Sequence, residues 1–158
     1  MLRQTSLVNI IYPLQAARIP RHTAKASAGE QVMKILIAED NAVNRELLRE
    51  LLEMRGHAVI EACNGEEALR VLEEFKPEIL LLDLGMPVLD GYGTVRKIRE
   101  NPDFATLPVV AVTAYAMQGD KERILGSGFD GYLSKPINPT LLFQELEHFF
   151  SRTVKGTA

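Results

Sequence analysis

Five residues of this chain are of types, and at places, that could do chemistry together: Glu39, Asp40, Asp83, Thr113 and Lys135. Glu39 ends the run KILIAE and Asp40 follows it; Asp83 ends ILLLD, Thr113 ends VVAVT, and Lys135 follows GYLS. Taken singly, each is most simply a cap or turn residue. Taken together they pose an electrostatic problem. Carboxylates held ~5 Å apart at an effective dielectric near 20 repel by about 3 kcal/mol per pair. A hard divalent cation, Mg²⁺ or Mn²⁺, relieves that repulsion, and Mg²⁺ typically takes one or two carboxylates plus phosphate oxygens while keeping several waters. The Lys135 ammonium and the Thr113 hydroxyl would then suit a phosphoryl group.

The elements that must bring these residues together are legible as periodicity. Lys34–Glu39 reads as a buried strand, and Val43, Leu47, Leu51 and Met54, spaced by three and four, read as the inner face of a helix ending at Gly56. Ala58–Ala62 is a second strand; Asn64 caps a helix carrying Ala68, Leu69, Leu72 and Phe75, with Pro77 beyond its end. Ile79–Asp83 is a third strand, followed by a loop with Pro87 and Gly91 and a short helix through Val95 and Ile98. Val109–Thr113 is a fourth, followed by a helix around Lys121–Leu125 that Gly126 and Gly128 stop. Gly131–Ser134 is a fifth, and Asn138-Pro139 supplies the cap and first turn of a last helix through Leu142, Leu146, Phe149 and Phe150. Five strand–helix units in succession predict an α/β fold, a parallel sheet with helices on both faces and right-handed crossovers. Strands apolar throughout, at 35–38, 79–82 and 109–112, belong at the centre. Ligands of such a sheet bind beyond the carboxyl ends of its strands, which is where the five residues fall.

Composition excludes several classes. The 158 residues are 46% hydrophobic and 25% charged, an ordinary globular balance and enough chain for one core. A lone cysteine, Cys63, leaves neither a disulfide framework nor a cysteine metal cluster. No run of 18 or more apolar residues predicts a membrane span. Residues 1–29 hold Arg3, Arg18, Arg21 and Lys25 and no acid, so the remainder carries 14 basic against 21 acidic residues. An acidic body disfavours direct nucleic-acid binding, which needs clustered Lys and Arg to displace counterions.

The stretches EDNAVN (Glu39–Asn44), DLGMPVLDG (Asp83–Gly91), VTAYAM (Val112–Met117) and YLSKPI (Tyr132–Ile137) resemble the receiver domain of two-component response regulators. The resemblance covers residues 33 to about 150. It implies a flavodoxin-like, doubly wound (βα)5 fold with strand order 2-1-3-4-5. It also implies a phosphoaccepting receiver. Asp83 takes a phosphoryl group from a histidine kinase or histidine phosphotransfer protein, and conformational change carries the signal to a downstream protein target. By the same resemblance Glu39, Asp40 and Asp83, with the backbone carbonyl of Gly85, hold the metal. Thr113, the amide of Ala114 and Lys135 bind the phosphoryl, and Thr113 and Tyr132 form the switch. Lys135-Pro136 matches a peptide bond that is usually cis. Gly85 and Tyr115, each two residues past a key position, flank the path of a hydrolytic water. A glycine that cannot orient water and a tyrosine that can cover the phosphoryl point to slow self-dephosphorylation. Such a protein is not an enzyme beyond promoting its own phosphorylation and dephosphorylation.

Residues 1–32 are expected to be a poorly ordered extension, 33–152 the receiver domain and 153–158 a tail. Asn9 and Pro13 break the apolar stretch Leu7–Leu14, which disfavours export and leaves a cytoplasmic protein as the expectation. An organelle presequence, or a natural start at Met33, are alternatives for the basic N-terminal segment. With about eight residues after the last helix the chain reads as a stand-alone receiver or a piece of a hybrid kinase, and its wording resembles the receivers of hybrid kinases and phosphorelays. His57 and His148 have no partner at metal-ligand spacing. A phosphohydrolase with an aspartyl-phosphate intermediate would need two aspartates separated by one residue after the first strand, where this chain has Glu39-Asp40-Asn41. A receiver-like interaction module that no longer takes phosphate would have lost the acidic pair, the acceptor or the lysine, and none is lost.

Overall fold

The five apolar runs between residues 34 and 134 form the strands of one parallel sheet. The computed structural model describes residues 32–114, 117 and 119–155. The strands are β1 (Lys34–Ala38), β2 (Ala58–Ala62), β3 (Ile79–Asp83), β4 (Val109–Thr113) and β5 (Gly131–Ser134); the helices are α1 (Ala42–Met54), α2 (Gly65–Phe75), α3 (Gly91–Glu100), α4 (Asp120–Gly126) and α5 (Pro139–Lys155). The sheet order is β2-β1-β3-β4-β5, all pairs parallel. This is the doubly wound α/β arrangement with the switch of strand order between β1 and β3.

Alternation along the central strands divides the core in two. Leu36, Ala38, Leu80, Leu82, Val109 and Ala111 pack with Ala68 and Leu72 of α2, Val95 and Ile98 of α3 and Ile124 of α4. Ile35, Ile37, Ile79, Leu81, Val110 and Val112 pack on the other face with Leu48 and Leu52 of α1 and Leu142, Leu146 and Phe149 of α5. A strand covered on both sides has no polar face, which is why these runs carry no alternating charge. The expected caps form. Asn64 Oδ1 accepts from the Glu67 N–H at 2.9 Å, and Asn138 Oδ1 accepts from Thr140 at 2.9 Å, with Pro139 opening α5. Helix α5 continues to Lys155, three residues past the boundary expected at 152. The expectation for the N-terminal extension lies outside the described residues.

One face of α1 differs from expectation. Val43, Leu47 and Met54 are 74%, 44% and 74% exposed, while Leu48 and Leu52 are buried. Two leucine rows run side by side on this helix, 47/51 and 48/52, and spacing alone does not choose between them. Charge does. Arg45 and Arg49 both reach Glu61 on β2, at 3.6 and 3.2 Å. At about 100° per residue, facing 45 and 49 toward β2 turns 48 and 52 inward and 43, 47 and 54 outward.

Candidate functional site

The carboxyl edge of the sheet gathers the residues expected there. Asp83 is the last residue of β3 and Thr113 the last of β4; Glu39 follows β1 and Lys135 follows β5. In register, Asp83 lies beside Val112 and Thr113 beside Ser134, so the strand ends are level. The Lys135 N–H donates to the Thr113 carbonyl at 2.8 Å, and the Lys135–Pro136 bond is cis, as the resemblance implied. Ligand oxygens of Glu39, Asp40 and Asp83 all lie within 4.8 Å of one another, a set that can hold a metal ion.

Burial sorts these groups. Glu39, Asp83 and Thr113 are 1%, 6% and 1% exposed, whereas Asp40 and Ala114 face solvent. Lys135 Nζ sits 2.7 Å from Glu39 Oε2 and 3.4 Å from Asp83 Oδ2, so part of the carboxylate repulsion is offset by this ammonium and not left wholly to a cation. Glu39 Oε1 accepts from the Asn41 N–H at 3.0 Å, and Asp83 Oδ1 from the Gly85 N–H at 3.2 Å. The buried Glu39 Oε2 meets the ammonium as an ion pair without the direction of a hydrogen bond, and so keeps acceptor capacity. A buried carboxylate oxygen met only by an ammonium, beside two further carboxylates, is a donor set that fits a hard cation.

Burial raises the Glu39 carboxyl above the ordinary carboxylate value; contacts with Lys135 and the Asn41 N–H oppose this, and the charge of Asp83 adds to it. Burial acts to lower Lys135, but Glu39 and Asp83 outweigh it, so the ammonium holds its proton more firmly than a free lysine. Inside the cluster, Lys135 is the firm cation that offsets part of the carboxylate repulsion.

The loop after β3 shapes the site's rim. Gly91 opens α3 so close to β3 that a Cβ there would stand 2.6 Å from the Asp83 carbonyl and 2.7 Å from Leu84 Cα, so only glycine lets α3 start here. A Cβ at Gly85 would meet nothing within 4 Å. Val88, 73% exposed, has φ 69°, and the Leu89 N–H donates to the Pro87 carbonyl at 2.8 Å. That is a γ-turn of the rare strained hand, centred on a β-branched residue. Tyr132 is half-buried on β5 against the α2–α4 side of the core. Tyr115, expected to cover the phosphoryl, lies outside the described residues.

The sequence reading missed Arg45 and Glu61. Arg45 Nη1 donates to the Glu39 carbonyl at 2.8 Å and its Nε pairs with Glu61. The signal was present: Glu61 is the one charge inside AVIEA, a strand otherwise apolar. A surface trough of about 930 Å³, lined in part by Glu73, Lys76, Asn101, Phe104 and Arg152, contains none of the expected site residues.

Comparison with known proteins agrees with this geometry. Residues 35–147 match the family model of the response regulator receiver domain. The polar-differentiation response regulator DivK of Brucella anthropi is 36% identical over 115 residues, covering 73% of this chain and 94% of DivK. The hybrid signal transduction histidine kinase I of Dictyostelium discoideum is 41% identical over 126 residues, 74% of this chain but 7% of that kinase. Among solved structures, the receiver domain of a Pseudomonas aeruginosa sensor histidine kinase, with a magnesium ion coordinated in its active-site cleft, superposes with a TM-score of 0.71. It is 35% identical and covers 77% of this chain and 99% of that one. Strand order, motif order and these likenesses converge: the chain belongs to the response regulator receiver domain family, the phosphoaccepting receivers of two-component signalling.

Proposed function

We propose that Asp83 is the phosphoacceptor, taking a phosphoryl group from a phosphohistidine on a histidine kinase or histidine phosphotransfer protein. A carboxylate oxygen of Asp83 bonds to phosphorus as the donor's phosphorus–nitrogen bond breaks, leaving the imidazole to the partner. The observation that carries this reading is the convergence of three carboxylates, with ligand oxygens within 4.8 Å of one another, at the end of β3, two of them paired with the Lys135 ammonium.

Transfer spreads charge over three equatorial oxygens, so catalysis is mostly positioning and electrostatics. Glu39, Asp40, Asp83 and the Gly85 carbonyl would hold Mg²⁺ or Mn²⁺, which when bound supplies charge neutralisation at the phosphoryl oxygens. Lys135, already bridging Glu39 and Asp83, is within reach of a group built on Asp83. The Thr113 hydroxyl and the Ala114 amide bind the same group, and Tyr132 moves with Thr113 as the switch. A new charge of roughly −1.5 to −2 at this edge biases the end of β4, the following loop and β5 between two arrangements, which a downstream protein reads. Gly85 and Tyr115 set the rate of hydrolysis. The protein promotes only its own phosphorylation and dephosphorylation, in the cytoplasm; its acidic body gives it no direct nucleic-acid role, and no described helix is long and apolar enough to cross a membrane.

The test is incubation with a small phosphodonor, with and without Mg²⁺, followed by intact mass. The expected outcome is one phosphoryl group, metal-dependent, absent from Asp83→Asn, whose fold persists. Equal yield in the variant overturns the acceptor assignment; no adduct on the wild type overturns phosphoacceptance.

A further inference from the structure

A cation that the proposed chemistry does not use pins the acidic turn from behind. Arg45, one turn into α1, donates from Nη1 to the Glu39 carbonyl at 2.8 Å and the Asp40 carbonyl at 3.4 Å. Its Nε lies 3.6 Å from Glu61 Oε1, and Glu61 Oε2 is held by Arg49 at 3.2 Å. The Arg45 and Glu61 side chains are 19% and 21% exposed, so both hold these positions with little freedom. Glu61 arrives because β2 pairs with β1 with Ile37 beside Glu61, two residues short of Glu39.

A guanidinium this close to carboxylates ordinarily pairs with them fork to fork, which here would occupy the oxygens a metal needs. Glu61 draws Nε away, and Nη1 goes to main-chain carbonyls. The two carbonyls belong to the peptide planes on either side of Asp40. We propose that Arg45 is a positioning residue for the metal-binding turn, kept in that role by Glu61, so that the Glu39 and Asp40 carboxylates are presented to one cation. This rests on the divalent-cation reading of the site given above.

Charge and position act with opposite sign. Arg45 repels a nearby cation, so if charge were its whole contribution its removal would tighten binding. If it positions the turn, its removal weakens binding, and losing a group that orients metal ligands typically costs 10–100-fold in affinity. The experiment is calorimetric titration of the metal-free protein with Mg²⁺ at low salt, well below its melting temperature. Arg45→Met is expected to raise the Mg²⁺ Kd about 10-fold or more. Glu61→Gln, which frees Arg45 to swing onto the Asp40 carboxylate, raises it by a smaller factor. Arg45→Lys, with charge kept but the fork lost, falls between Arg45→Met and wild type.

Unchanged or tighter binding by both Arg45→Met and Glu61→Gln overturns the inference, and a lowered melting temperature with unchanged Kd marks a merely structural role. If Arg45→Met fails to fold, Glu61→Gln decides alone. A wild type that binds no Mg²⁺ overturns the metal reading and this inference with it. A wild type that binds, an Asp40→Asn that does not, and an Arg45→Met that binds like wild type overturn this inference only.

Discussion

The two edges of the sheet are built to different standards of completion. At the amino edge Arg99 donates to the carbonyls of Gly128, Ala105 and Leu107 at 2.9, 3.0 and 2.7 Å and pairs with Asp130 at 2.7 Å. Asp130 in turn accepts from the Val109 N–H at 2.9 Å, and Glu78 from the Lys34 N–H at 2.7 Å. The charges there end in matched partners. At the carboxyl edge three carboxylates crowd together with Lys135 paired to two of them, the buried Glu39 Oε2 has no directed donor, and Val88 strains the neighbouring loop. Incomplete bonding at one end, tolerated because the other end is closed, leaves capacity for a ligand.

Substitutions can break this contrast. Loss of the phosphoryl adduct in Asp83→Asn is the all-or-none case for the carboxyl edge. Its counterpart is Arg99→Met, which strands three carbonyls and the Asp130 carboxylate. We expect about 3 kcal/mol of stability lost, read as the urea midpoint, with phosphorylation of the folded protein retained. Loss of phosphorylation in the folded fraction would couple the two edges.

Lys135→Met leaves Glu39 and Asp83 without their ammonium and should cost about 2 kcal/mol at neutral pH, discounted for partial exposure. The cost depends on pH with a definite sign. Glu39 already titrates above its ordinary value of 4.5 in the fold, and losing Lys135, one of the contacts that lowers it, moves it higher. A folded pKa above the unfolded one means stability present at acid pH and lost as pH rises through the folded value. The melting-temperature gap between variant and wild type should therefore be small near pH 4 and widen upward; a gap independent of pH contradicts the pairing. In the wild type, Lys135 itself titrates above 10.5, so its contribution persists until alkaline pH.

Two smaller effects sharpen the picture of the rim. Gly85→Asn adds a side chain into open space, and decay of the phosphorylated species after donor removal should quicken as the amide orients water. A slower decay would reverse that role. Val88→Gly removes roughly 1–2 kcal/mol of left-handed strain and adds roughly 0.5–1 kcal/mol of chain entropy cost. The net is a gain of about 1 kcal/mol or less, seen as a slightly raised melting temperature.

The strands, the caps and the gathering of Glu39, Asp40, Asp83, Thr113 and Lys135 at one edge of the sheet were legible because each rests on local signals: apolar runs, Asn64 and Asn138 before helices, and polar groups stationed at strand ends. The strand order came with the resemblance to receiver domains, since apolar runs do not name their neighbours. The rotation of α1 was not. The rows 47/51 and 48/52 are equally apolar, and the choice depends on Glu61, a residue of another strand that periodicity on α1 cannot see. The role of Lys135 as partial counter-charge to Glu39 was not legible either, since its 2.7 Å approach depends on how β1 and β5, with β3 and β4 between them, bring their ends level. The γ-turn at Val88 had no signal, because valine is among the residues least suited to it.

The order in which the chain supplies its charges has a consequence for synthesis. Glu39 and Asp40 leave the ribosome with the first strand and Asp83 with the third, but Lys135 follows β5, which pairs with β4 alone at the sheet's margin. A nascent or truncated chain ending before Gly131 carries the acids without the ammonium that bridges them. The site is thus completed by the last strand to emerge, and its competence reports that the whole domain has been made and closed.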